Sequence, residues 1–109
     1  MNIRNNTVIS NKVVEWCCDY FSLNTVVRIK IGKYSDFNCW GTCSKGNKED
    51  HYNIEIAKDQ SLRGFIATVV HEMIHVKQWE TGKWRGDGEK ECERLQYKLT
   101  DELWKENII

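Results

Sequence analysis

His71-Glu72-Met73-Ile74-His75 reads H-E-x-x-H within a stretch of helical periodicity. Two histidines four residues apart on a helix project from one face, one turn above the other. That spacing lets both imidazoles hold one zinc ion at roughly 2.0–2.1 Å. Glu72 then stands where it can take a proton from a water on the metal. The chemistry implied is metal-assisted hydrolysis, with His71 and His75 as metal ligands and Glu72 as the catalytic base.

A catalytic zinc site takes a third protein ligand and leaves one position for water. The only other histidine, His51, lies ahead of the motif in a predicted strand. The last predicted helix carries Glu89, Glu91, Glu93, Asp101, Glu102 and Glu106. Glu89 leads as third ligand, because it lies three residues before Cys92 and ten before Leu99, on that helix's apolar stripe. Glu91 and Glu93 are the alternatives. Glu93, one turn further on, is also placed to accept a hydrogen bond from a zinc-bound imidazole. Tyr97, Arg94 and His51 are the first groups to consider as oxyanion stabilisers, although a structural role is expected of each.

Four kinds of element must position these groups. Val8 to Leu23 is predicted helical, with Ile9, Val13, Trp16, Cys17 and Tyr20 as one apolar stripe and Asn6 or Thr7 as cap. Val26 to Gly32 and His51 to Ala57 alternate as strands, and a second short strand is expected within Asp36 to Thr42. Ser44 to Asp50 reads as a polar turn. The H-E-x-x-H helix runs from about Ser61 to Thr81, with Leu62, Ile66, Val69, Met73 and Val76 facing the core and Gly82 ending it. A glycine-rich loop, Gly82 to Gly88, leads to a last helix over about Gly88 to Lys105. Asp87 is its expected cap, and Cys92, Leu95, Leu99 and Leu103 are its stripe.

The chain has 109 residues, the size of one domain (1–109), and twelve aromatics to give its core bulk. Sixteen basic and sixteen acidic residues cancel. Strong binding to nucleic acid or an anionic membrane is therefore not expected. No segment approaches the roughly 20 apolar residues of a membrane span, and the first residues lack a signal-peptide core. Five cysteines cannot all pair within one chain, so a reducing cytoplasm is the expected compartment. The alternative is release by a route the chain does not show, such as host lysis. Cys17 and Cys18 are expected as small buried hydrophobes, and Cys39 and Cys43 as buried free thiols, with a local disulfide as the alternative. Trp40, Trp79, Trp84 and Trp104 are expected in the core or a groove wall.

Thr68 to Gly82 resembles the active-site helix of small zincin-like metallopeptidases, most closely SprT-like and phage-encoded versions. There H-E-[ML]-[VI]-H-V-[KR]-Q-[YW] is followed by a glycine. Gly41-Thr42-Cys43 and Tyr52 to Ile56 stand where that group has a G-x-C segment and a strand, and Glu89-Lys90-Glu91-Cys92 stands where it has an acidic segment. The resemblance spans roughly residues 39–99. It implies an α+β fold: a minimal zincin-like domain with an N-terminal backing helix, a small three-stranded, mainly antiparallel sheet, the H-E-x-x-H helix and a C-terminal glutamate helix. It also implies Zn2+ as cofactor, and a peptide or protein substrate paired along the strand Tyr52 to Ala57. The competing expectation is a non-catalytic zinc-binding regulatory or adaptor module on the same scaffold. A DNA-associated protease is disfavoured by the zero net charge and the absence of a basic zinc-binding tail.

Overall fold

The computed structural model describes residues 3–106. Its elements in chain order are α1 (Ile3–Phe21), β1 (Val26–Gly32), α2 (Tyr34–Phe37), β2 (Gly41–Lys45), β3 (His51–Ala57), α3 (Leu62–Thr81) and α4 (Glu89–Lys105). The fold is α+β, with a three-stranded sheet in the order β1-β3-β2. No helix among the described residues is long and apolar enough to cross a membrane.

The sheet is mixed rather than mainly antiparallel. β1 runs parallel to β3 over seven paired positions, and β2 runs antiparallel to β3 over five. The intervening α2 and β2 give the chain enough length to return β3 alongside β1 in the same direction, which a tight hairpin cannot do. The second strand also sits later than expected, since residues 34–37 form a helical turn and β2 starts at Gly41. β3 is therefore the central strand, with its backbone paired on both sides. The expected pairing of a substrate along Tyr52 to Ala57 is thereby excluded, because no free edge exists there.

Strand alternation determines what the sheet offers the helices. Tyr52, Ile54 and Ile56 are buried on one face of β3, and their register partners Val27, Ile29 and Ile31 on β1 are partly buried on the same face. Arg28, Lys30, Asn53 and Glu55 point the other way. α3 packs onto this apolar face with α1 on one flank and α4 on the other. It is consequently buried nearly all round. Phe65, Ala67, Val70 and Ile74 join Ile66, Val69, Met73 and Val76 in the core, while Leu62, expected there, is 41% exposed in the first turn.

α1 begins earlier than its apolar pattern suggests. Asn6 and Ser10, small polar residues, are buried in line with Val13 and Cys17 at helical spacing, so the helix extends through the expected cap. Tyr20, expected on the inward stripe, is exposed and stacks on Trp16 at 5.0 Å. Cys17 is buried as expected and Cys18 is partly so. On α4, Cys92, Leu99 and Leu103 are buried and Leu95 packs against them.

The phase of α3 sets everything that follows, and two truncations read it. Phe65→Ala should destabilise the fold by about 3–5 kcal/mol in urea unfolding, through loss of a buried ring. Leu62→Ala should change stability by no more than about 0.5 kcal/mol. Equal effects would contradict this helical phase.

Candidate metal centre

α3 starts where the Ser61 hydroxyl accepts the Gly64 N–H at 3.0 Å, and it ends at Gly82, whose φ is 67°. Between these stops His71 and His75 lie on the flank that faces α4, with ring centroids 5.2 Å apart. The loop over 82–88 reverses the chain and delivers the first turn of α4 to that flank. Asp87 behaves as expected in part: its carboxylate accepts the Glu89 N–H at 3.0 Å, although the residue flanking the helix is Gly88.

Glu89 thereby faces both histidines. Its Oε2 is 2.9 Å from His71 Nε2 and its Oε1 is 2.9 Å from His75 Nε2. One carboxylate spans two imidazoles presented by successive turns. Glu91 is turned elsewhere, to Lys77 Nζ at 2.8 Å and Gln78 Nε2 at 3.0 Å. Burial pushes its carboxyl up, but these hydrogen bonds and the charges of Lys77 and Arg94 outweigh it and hold Glu91 below the ordinary range. Glu93 is exposed and hydrogen-bonds neither imidazole, contrary to the supporting role expected of it.

Two glutamines fill that role. Gln78 is 2% exposed, and its Nε2 donates to Gly88 O at 2.9 Å as well as to Glu91. Both partners can only accept, so the amide orientation is determined and Oε1 must point to His75 Nδ1, 2.9 Å away. His75 Nδ1 therefore carries a hydrogen, and Nε2 is left to face Glu89. Gln96 Oε1 lies 2.6 Å from His71 Nδ1 and acts on that ring in the same way. Neither glutamine was foreseen. The signal was present: Gln78 lies three residues after His75, and Gln96 lies two turns after Glu89.

Gly88 completes the arrangement. Its φ is 80°, and a Cβ there would overlap the Gln78 amide. The loop can donate its carbonyl to Gln78 only because this position has no side chain.

These groups fit a divalent cation. With Nδ1–H directed to an amide oxygen, each Nε2 is an electron-pair donor aimed at a third donor, the Glu89 carboxylate. Two imidazole nitrogens and a carboxylate are a zinc donor set, and the hydrogen-bonded far nitrogens are the usual means of fixing such rings. Cys92 is also near, and the ligand atoms of His71, His75, Glu89 and Cys92 all lie within 4.8 Å of one another. Its Sγ, however, is 3.5 Å from His75 Nε2 and 3.8 Å from His75 Nδ1. A sulfur nearly equidistant from both nitrogens lies beside the ring instead of sharing the point Nε2 aims at. Burial, with the carboxylates of Glu89, Glu72 and Glu91, pushes its thiol up to about 12.

Glu72 lies on the other side of His71. It is 6% exposed, and no hydrogen bond from the described residues reaches its carboxylate. Burial pushes its carboxyl up to about 7, with the His71 imidazole opposing and Glu89 adding to the shift. Gly41, at the start of β2, comes so close that a Cβ would lie 2.5 Å from Thr68 Cγ2 and 3.0 Å from Glu72 Oε2. The two elements touch here only because position 41 is glycine. A cleft of about 470 Å³ opens beside His71 and Glu72, with Trp40 and Tyr97 among its walls.

Of the other candidates, Tyr97 lines this cleft, whereas Arg94 is exposed and directed to Glu91, and His51 is bound to Glu49 O through Nδ1 at 2.9 Å, in a separate pocket. All five cysteines are free, with Cys39 and Cys43 only partly buried. Trp40, Trp84 and Trp104 are exposed, so Trp40 is groove wall while the other two belong to neither core nor cleft; Trp79 stacks on Tyr52 at 5.7 Å. No protein-family model, curated protein or solved structure matches this chain.

Gln78→Leu and Gly88→Ala should each lower zinc affinity about 10–100-fold, measured by competition with a chromophoric chelator. Unchanged affinity in both would contradict the bridging role of the amide.

Proposed function

We propose that this chain is a zinc-dependent metallopeptidase that hydrolyses peptide bonds. His71, His75 and Glu89 hold the metal, and Glu72 is the general base. The observation that carries this reading is the convergence of three donors on one point, next to a buried carboxylate with no hydrogen-bond partner, at the wall of an open cleft. The likeness of residues 68–82 to the active-site helix of SprT-like and phage-encoded zincins supports it.

Zinc held there supplies Lewis-acid polarisation of a carbonyl and acidifies water. The chain's own residues do the rest. Glu72 takes a proton from the attacking water and returns it to the leaving nitrogen. A carboxyl raised to about 7 suits both transfers near neutrality. The Gln78 and Gln96 amides keep the imidazoles from turning as charge develops. The edge of β2 that faces away from β3 pairs with no strand among the described residues. It begins at Gly41 beside Glu72, so an extended peptide laid along it meets the base. The five free thiols are the form a reducing compartment such as the cytoplasm maintains.

A non-catalytic zinc module is the second reading, and the specific observation for it is Cys92 Sγ, 3.5 Å from His75 Nε2. A fourth protein ligand would close the site to water. Against it stands Glu72, a buried carboxylate that a closed structural site does not need.

Glu72→Gln should lower kcat on a peptide substrate by about 10²–10⁴-fold while the protein keeps one zinc per chain. Turnover undiminished in that variant would remove the proposed base. Glu89→Ala and His71→Ala should instead lose zinc on dialysis. A chelator should abolish turnover, and stoichiometric zinc should restore it; activity indifferent to chelation would contradict the metal's role.

A further inference from the structure

The cleft extends from His71 and Glu72 along the N-terminal half of α3. Gly64, Ala67 and Thr68 line it along α3, with the Gln60 amide against the Thr68 hydroxyl at 3.0 Å. Trp40 stands on the β2 side and Tyr97 on the α4 side, each 48% exposed. Glu72, buried and without a hydrogen bond, is aimed into this space. A volume of about 470 Å³ is within the range that accommodates a ligand group.

The charge of the lining is one-sided. Its charged residues are Glu72 and Glu93, and no lysine or arginine is among them. Arg63 is paired with Asp101 at 2.7 Å and Lys77 with Glu91 at 2.8 Å, while Lys90, one turn before Glu93 on α4, does not line the cleft. Glu93 has no ion-pair partner among the described residues, so its carboxylate is left to meet a charge brought by a ligand.

We propose that this cleft is a subsite for a basic side chain, lysine or arginine, next to the scissile bond. Glu93 is the carboxylate that recognises the charge, and Trp40 and Tyr97 hold the methylene stem. The inference rests on the peptidase reading above and gives it a substrate class. Long basic side chains lay their stems on apolar surface while the charged head stays in water, and aromatic faces attract cations. Tyr97 already does this within the chain, with the Arg63 guanidinium 5.4 Å from its ring centroid. An apolar side chain fits less well, because it would strip water from Glu93 without replacing it.

The test is peptide binding to the zinc-loaded Glu72→Gln chain, followed by fluorescence anisotropy. Labelled hexapeptides carry lysine, leucine or glutamate at one position, scanned on both sides of the bond. At one position the lysine peptide should bind about fivefold more tightly than its leucine counterpart, the upper end for an exposed ion pair. Glu93→Gln should bring that ratio close to one, and Glu93→Lys should shift preference to the glutamate peptide. Equal binding of lysine and leucine peptides, a preference that survives Glu93→Gln, or no peptide binding at all would each overturn the subsite. Cleavage by the unmutated chain separates the two claims. Cleavage without lysine preference refutes the subsite and leaves the peptidase. Lysine-dependent binding without cleavage refutes the peptidase and leaves the subsite.

Discussion

Two imidazoles on successive turns of one helix can serve a common partner only if neither ring is free to turn. In this chain the restraint is the far nitrogen of each ring, held by an amide oxygen: Gln78 for His75 and Gln96 for His71. Gln78 matters most because it is tied in three directions. Its amide also bonds the Gly88 carbonyl and Glu91, and so joins the ligand-bearing turn of α3 to the start of α4, where Glu89 sits. The third donor and the second imidazole are thus located by one buried side chain. A metal bound there would gain affinity from such pre-organisation, because little ordering would remain to be done on binding.

The rest of the fold makes that restraint possible. α3 is gripped between the sheet, α1 and α4, and a helix with so little exposed surface has a fixed rotation about its axis. The same burial raises the Glu72 carboxyl toward neutrality. It is costly to keep a carboxylate there without a partner, and such local costs are characteristic of sites that act on a ligand. Gly41 and Gly88 mark two places where backbone comes too close for a side chain, one beside Glu72 and one beside the amide that orients His75.

Much of this was legible in the residues. The period of α3 and α4, the strand alternation and the H-E-x-x-H spacing are local signals, and Glu89 could be ranked first from its place on the α4 stripe. What was missed depends on through-space pairing. The direction of β1 relative to β3, and hence which strand has a free edge, follows from how the chain returns across α2 and β2, and alternation is silent on it. The start of α1 was obscured because Asn6 and Ser10 are polar yet buried. The glutamines were hidden for a related reason. A neutral amide on a helix reads as a surface residue until its distant partners, such as Gly88 for Gln78 and His71 for Gln96, are known.

The central claim is that His71, His75 and Glu89 converge on one divalent cation, with Cys92 outside its coordination shell. X-ray absorption at the zinc edge, on the full chain reconstituted with one equivalent of zinc, tests this most directly. The account predicts two imidazole nitrogens and oxygen donors at roughly 2.0–2.2 Å, with no sulfur. A sulfur scatterer at roughly 2.3 Å, or a spectrum showing one histidine or none, would contradict it.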